Sequence, residues 1–169
     1  MKTSRKTGVT RRRVLGTLAL GAASAAAGSL GRPTPARAQG NLGSLTPEEP
    51  VDATLRRLFG GRPIKDGSAA IKLELPLIAE NGALVPIAVE VNAPMTPQSY
   101  VKTVYIISDK NRRPLNVRFN LTPAMGQAYV ATNLRLGETT DVRAIAEMSD
   151  GTLLATKRDV RVVVGGCGG

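Results

Sequence analysis

The sequence predicts an all-β fold, an immunoglobulin-like β-sandwich of about seven strands with a short N-terminal helix and a flexible C-terminal arm. The first observation is a period-two alternation of apolar and polar residues, as in residues 71–75 and 87–91, which is typical of half-buried strands. The second is a set of turn signals between such runs, including Asn81-Gly82 and Asp150-Gly151. About seven short strands at fairly even spacing indicate a β-sandwich of immunoglobulin-like type.

A short helix is predicted at the start of the folded domain, which we place at residues 46–164 after a polar lead-in at 39–45. Thr46-Pro47-Glu48-Glu49 has the spacing of a capping box with proline in the first helical position. The helix is expected to continue to about Phe59 and to end at Gly60-Gly61. Its apolar stripe would consist of Val51, Leu55, Leu58 and Phe59.

The seven predicted strands lie between residues 71 and 164. Asn81-Gly82 is expected to supply the positive backbone angles of a tight reversal after the first strand, and Asp150-Gly151 is expected to do the same before the last. Pro76 and Pro86 remove ladder donors, which favours an edge position or bulges in the chain around them. The predicted strands are 71–75, 87–91, 101–108, 116–121, 127–132, 142–148 and 152–164.

The net charge of +10 arises mainly from the first 38 residues. That segment holds eight of the 23 basic residues and none of the 13 acidic ones, so the remaining chain is nearly neutral. All five aromatic residues lie beyond it, too few for the stacking platform that single-stranded nucleic acid requires. The sequence therefore predicts no nucleic-acid partner.

Residues 1–38 have the composition of an export signal that is removed. Thr10-Arg11-Arg12-Arg13-Val14-Leu15 resembles a twin-arginine signal, and Ala36-Arg37-Ala38 suits a signal peptidase. The apolar run 14–30 is interrupted by glycine, serine and threonine, so no membrane insertion is expected. We predict a periplasmic protein exported in the folded state. An ordinary secretory leader with one extra arginine is the alternative, and it places the chain outside the cytoplasm as well.

The chain contains no histidine and a single cysteine, Cys167. An intramolecular disulfide is therefore impossible, and triads or metal sites that depend on histidine are excluded. Few enzyme mechanisms remain, so we expect a chain without catalytic residues, metal or cofactor of its own.

The cysteine lies in the segment Gly165-Gly166-Cys167-Gly168-Gly169, which we predict to be a mobile arm because glycine has low β propensity and nothing to bury. An ordinary thiol of pKa about 8.5 is only about 3% ionised at pH 7, and no cation or helix N-terminus is near in sequence. A partner enzyme would thus have to activate the thiol. Cysteine can hold sulfur covalently, which makes Cys167 a candidate attachment site on a carrier arm.

Two other functions remain open from the residues alone. The chain could be a periplasmic β-sandwich module for binding or assembly, whose tail is incidental or forms a disulfide between chains. A thiol oxidoreductase is the weaker alternative, because the segment offers neither a base nor a resolving cysteine.

The terminal Gly-Gly-Cys-Gly-Gly closely resembles the end of the SoxY family, the sulfur-carrier subunits of the Sox thiosulfate-oxidising system. The resemblance covers nearly the whole chain. Besides the tail, it is carried by the twin-arginine leader, Leu58-Phe59-Gly60-Gly61, the stretch 76–82 with Val85-Pro86, Ala93-Pro94-Met95, Leu134-Arg135-Leu136 and Ser149-Asp150-Gly151.

The resemblance implies a non-catalytic carrier that pairs with a separate SoxZ-type β-sandwich subunit. It assigns covalent sulfur attachment to Cys167 and the role of a flexible arm to Gly165, Gly166, Gly168 and Gly169. The implied enzymes are SoxAX, which contains haem, SoxB, which contains manganese, and SoxCD where that component exists. Haem and manganese are thus expected only in the partners.

Two polar clusters outside the arm are candidates for steering an anion or for docking an acidic enzyme surface. They are Asn111-Arg112-Arg113 and Lys157-Arg158. Clusters of this kind more often form a solvated face than a binding site.

Overall fold

Two β-sheets pack face to face in the computed structural model, which describes residues 48–166. The larger sheet has the order β1-β9-β8-β5-β6, with β3 also paired to β9, and the smaller has the order β2-β4-β7. The predicted all-β, immunoglobulin-like sandwich is thereby confirmed. The leader 1–38 and the lead-in 39–45 lie outside the described residues. The strands are β1 Ile64–Asp66, β2 Ile71–Glu74, β3 Ile78–Asn81, β4 Val85–Val91, β5 Val101–Ser108, β6 Leu115–Asn120, β7 Ala128–Leu134, β8 Thr140–Met148 and β9 Leu153–Val164.

The core between the sheets is aliphatic. In β4 the inward residues alternate with exposed or half-buried ones, as the period-two pattern predicts. From the larger sheet, side chains such as Val104, Ile106 and Val142 fill the same cluster. Each is at most 1% exposed, so truncating any of them would leave a cavity.

The single α-helix of the described residues, α1, runs from Val51 to Phe59 and begins later than predicted. Pro50 is the residue before the helix, and its carbonyl accepts the amides of Ala53 and Thr54. The preceding Glu49 is held outside the helix because its amide donates to Arg112 O at 3.0 Å. The end is as predicted: Gly60 takes a left-handed conformation with φ 60° and its amide donates to Arg56 O.

Helix α1 covers the outer face of the larger sheet. Phe59 is 3% exposed and packs edge-on against Tyr105, with the ring centroids 5.0 Å apart. Ile107, Ile145 and Leu153 complete this second cluster. Strand β5 is therefore buried on both faces, which explains why its sequence lacks polar alternation.

Glu147 lies at the edge of this second cluster and accepts two hydrogen bonds. The hydroxyl of Tyr105 donates to its Oε2 and Nη1 of Arg62 donates to its Oε1, each at 2.9 Å. Burial opposes ionisation of the carboxyl, but the hydrogen bonds from Arg62 and Tyr105 outweigh it and hold the pKa of Glu147 below its usual value of 4.5. Because the folded pKa is the lower one, this stabilisation is present above the unfolded pKa and is lost as the pH falls through the folded pKa.

Replacing Glu147 with Gln is expected to lower the free energy of unfolding by about 1–2 kcal/mol at pH 7, because the neutral amide loses two charge-assisted hydrogen bonds. Urea unfolding at pH 7 and pH 3 measures the effect, and the difference from the wild type should shrink at the lower pH. Glu74→Gln is the control, since Glu74 forms an exposed ion pair with Lys72 and should change stability little. A loss that is equal at both pH values contradicts the role given to the ionised carboxylate.

Strands β1 and β3 were not predicted from the sequence, and both pair in parallel with β9. Strands β1 and β3 have only three and four residues, too few to show a period. Strand β2 pairs with β4 as expected, but β3 lies between them in the chain and joins the other sheet.

The prediction for Asn81-Gly82 was wrong, whereas that for Asp150-Gly151 is confirmed by φ 87° at Gly151. Gly82 does not have a positive φ; the turn is made by Asn81, whose Oδ1 accepts the amide of Ala83 at 2.8 Å. Pro86 lies in β4, the middle strand of the smaller sheet, but only β7 pairs with this end of β4, which agrees with the edge position predicted around Pro86. It is tolerated beyond Ala88, the last β4 residue that pairs with β2.

Candidate functional site

The backbone just before Cys167 is fixed by two neighbouring loops. Strand β9 ends at Val164, as predicted, and the next two residues lie between Gly82-Ala83 and Leu136-Gly137. We call this arrangement of Gly82-Ala83, Leu136-Gly137 and Val164 to Gly166 the clasp.

Three backbone hydrogen bonds link the segments of the clasp in a ring. The amide of Gly82 donates to Val164 O at 2.7 Å, and the carbonyl of Gly82 accepts the amide of Leu136 at 2.7 Å. The carbonyl of Leu136 in turn accepts the amide of Gly166 at 2.9 Å. Leu136 is fully buried, so the central residue of the ring is anchored by its side chain.

The glycines of the clasp are required by close packing and not by backbone angles. A Cβ at Gly82 would overlap Leu136 O, and one at Gly165 would overlap Gly137 O. At Gly166 it would lie 2.7 Å from both Cα and N of Ala83. Each neighbour is a backbone atom that cannot rotate away, so any side chain at these positions would force the segments apart.

Asn111 holds the loop that forms one side of the clasp. It is 6% exposed, and its Nδ2 donates to Arg135 O at 2.7 Å and to Asn116 Oδ1 at 3.0 Å. Its Oδ1 accepts the amide of Gly137 at 3.2 Å. Asn111 thus binds the backbone on both sides of Leu136, the residue that anchors Gly166.

Residues 165–169 were expected to form a mobile arm. The geometry of the clasp corrects this expectation for Gly165 and Gly166. Gly165 and Gly166 are packed against the loops, and Gly166 is buried and hydrogen-bonded, because close backbone approach offsets the conformational entropy that glycine loses. Cys167, Gly168 and Gly169 lie outside the described residues.

The residues that position the segment were not identified from the sequence. Gly82 was interpreted as a turn residue and Asn111 as part of a charged cluster, while Gly137 carried no signal. The pairs Arg112–Glu48 and Lys157–Asp141, at 3.6 and 2.8 Å, partly neutralise the two clusters that were candidates for anion steering. Leu136 lies in one of the stretches that resemble the SoxY family, and this resemblance is the sequence signal that could have pointed to its role in the clasp.

Two further features bear on the kind of site. Within residues 48–166, no group of three or more acidic, histidine or cysteine side chains is arranged to hold a metal ion. No helix in that part of the chain is long and apolar enough to span a bilayer.

The fold and the clasp define a class of small β-sandwich proteins in which the last strand leads, through a fixed glycine pair, into a cysteine-containing segment. The family model described as sulfur oxidation protein SoxY matches residues 55–167, a range that ends on Cys167. The chain belongs to the SoxY family.

Among solved structures, the chain resembles the sulfur carrier protein SoxY from Chlorobium limicola f. thiosulfatophilum, with a TM-score of 0.57 and 29% identity over 68% of this chain and 96% of that one. It also resembles a superoxide reductase (neelaredoxin) from Ignicoccus hospitalis, with a TM-score of 0.50 and 17% identity over 55% of this chain and 80% of that one. The second likeness concerns the fold alone. No curated protein sequence matches.

Proposed function

We propose that this chain is a covalent carrier of sulfur intermediates, with Cys167 as the attachment site. The single observation that carries the proposal is the clasp, which fixes the backbone one residue before the only cysteine of the sequence. Membership of the SoxY family supports it, as does the likeness to the sulfur carrier protein SoxY from Chlorobium limicola. The chain acts as a substrate carrier and the chemistry is done by partner enzymes.

The proposed loading step joins thiosulfate to the sulfur of Cys167. The thiolate and S₂O₃²⁻ lose two electrons to a haem enzyme of the SoxAX type and form Cys–S–S–SO₃⁻. Water then cleaves the sulfone group at a manganese enzyme of the SoxB type, leaving Cys–S–S⁻, sulfate and two protons. A SoxCD-type enzyme, where present, oxidises the remaining sulfane sulfur.

The proposed setting is the periplasm, reached in the folded state through the twin-arginine route, with a SoxZ-type β-sandwich subunit as the stable partner. The basic leader at residues 1–38 supports the location, and the separate SoxZ-type subunit follows from the family resemblance.

Intact-mass spectrometry tests the attachment site. After incubation with thiosulfate and the cognate haem enzyme, the wild-type chain should gain the mass of one S₂O₃ group, and Cys167→Ala should gain none and lose pathway activity. Met125→Ala, at an exposed position outside the arm, is a control that keeps the thiol and should still be loaded. Full pathway activity of Cys167→Ala would contradict the carrier role and favour the binding or assembly module instead.

A further inference from the structure

Exposed apolar side chains are concentrated beside the clasp. Among the described residues, eight large apolar side chains are exposed; four of them belong to β3, β9 or the turn that follows β3, and a fifth, Leu77, comes directly before β3. We call these five the collar. They are Leu77, Ile78, Leu84, Val163 and Val164, with exposures of 69%, 57%, 65%, 64% and 62%.

Backbone pairing places the collar along the β3–β9 ladder and the turn that follows β3. In the β3–β9 ladder, Ile78 pairs with Arg161 and Asn81 with Val164. The amide of Leu84 donates to Asn81 O at 3.4 Å, and the neighbouring Ala83 contacts Gly166. The end of the collar formed by Leu84 and Val164 therefore lies beside the point at which the chain leaves the clasp toward Cys167, whereas Leu77 and Ile78 lie at the other end of the β3–β9 ladder.

The reach of the cysteine sets which surface an enzyme must cover. The Cα atoms of Gly166 and Cys167 are about 3.8 Å apart, so the sulfur lies within about 7 Å of Gly166 Cα. Even if the clasp opens, Cys167 Cα stays within about 11 Å of Val164 Cα. An enzyme that acts on this sulfur must therefore bring the rim of its active site against the collar.

We propose that the collar is the docking surface for the enzymes that act on the sulfur of Cys167, an inference that rests on the proposed carrier function. The partner that fits is an enzyme whose active-site entrance has an apolar rim. Five exposed side chains along this ladder offer at most a few hundred square ångströms, less than the roughly 800 Å² per partner that a stable interface buries. Docking is therefore weak and transient, as a carrier that visits several enzymes in turn requires.

Charge substitutions in the collar test this inference. The probe is the cognate thiosulfate-oxidising haem enzyme, and the measured quantity is kcat/KM for loading of Cys167, followed by intact mass. Leu84→Glu combined with Val163→Glu should lower kcat/KM at least tenfold, mainly through KM. The rate of alkylation of Cys167 by iodoacetamide should stay within twofold of wild type, because the thiol itself is unchanged.

Met125→Glu is the matched control. Met125 is 50% exposed and lies just before the end of β7 that pairs with Val91, whereas the opposite end of β7, Leu134, leads into the clasp. Its loading should stay within twofold of wild type. An equal loss in this variant would mean that added charge acts at long range and would overturn the inference.

Three other outcomes would overturn the docking role as well. If the double variant is loaded at the wild-type rate, the enzyme does not use the collar, and the proposed carrier function is unaffected. Loss of binding to the SoxZ-type subunit instead of slower loading assigns the collar to the stable interface. If the wild-type chain itself is not loaded, the carrier function fails and the collar role fails with it.

Discussion

Replacing Gly82 with Ala is expected to lower the free energy of unfolding by about 3 kcal/mol and to release Gly166 from the clasp. The added Cβ would overlap Leu136 O and would lie 2.9 Å from Gly166 N. Both atoms belong to the hydrogen-bonded ring, so the segments must separate to make room. Urea unfolding measures the stability, and hydrogen exchange of the Gly166 amide measures the state of the clasp.

Gly126→Ala separates lack of space from backbone strain. Gly126 has φ 70° and open space around its Cα, so only the conformational cost of about 1 kcal/mol applies there. Exchange of the Gly166 amide should be unchanged in this control. If Gly82→Ala is no more destabilising than the control and Gly166 remains protected, close packing at Gly82 does not hold the clasp together.

Replacing Asn111 with Ala is expected to cost about 2–3 kcal/mol, because a nearly buried side chain with three hydrogen bonds is removed. The carbonyl of Arg135 and the amide of Gly137 both lose this partner. The loop that anchors Gly166 should become looser, so the Gly166 amide should exchange faster even at denaturant concentrations where the domain stays folded. Urea unfolding and amide exchange measure the two effects.

Two variants control for the loss of an asparagine as such. Asn133→Ala removes an exposed asparagine and should change stability by less than about 0.5 kcal/mol. Asn111→Asp keeps the acceptor for Gly137 but cannot donate to Arg135 O or Asn116 Oδ1, so it should destabilise nearly as much as the alanine. If the Gly166 amide exchanges at the wild-type rate in both Asn111 variants, the loop holds its shape without this side chain.

The sequence predicted correctly those features that are encoded by neighbouring residues. Period-two alternation predicted β4, and Gly60 and Gly151 predicted the end of the helix and the last hairpin, because each depends on the backbone conformation of a few consecutive residues. The cysteine could be singled out because it is unique and lies within a run of glycines.

By itself, the sequence thus determined the all-β class, the approximate positions of the longer strands and Cys167 as the candidate attachment site. The parallel pairing of β1 and β3 with β9 was decided only in the tertiary structure, as was the meeting of Gly82, Leu136 and Gly166 in the clasp. Such contacts join backbone segments far apart in the chain. They leave no periodic pattern in the residues that make them, because what they require is the absence of a side chain at one point in space.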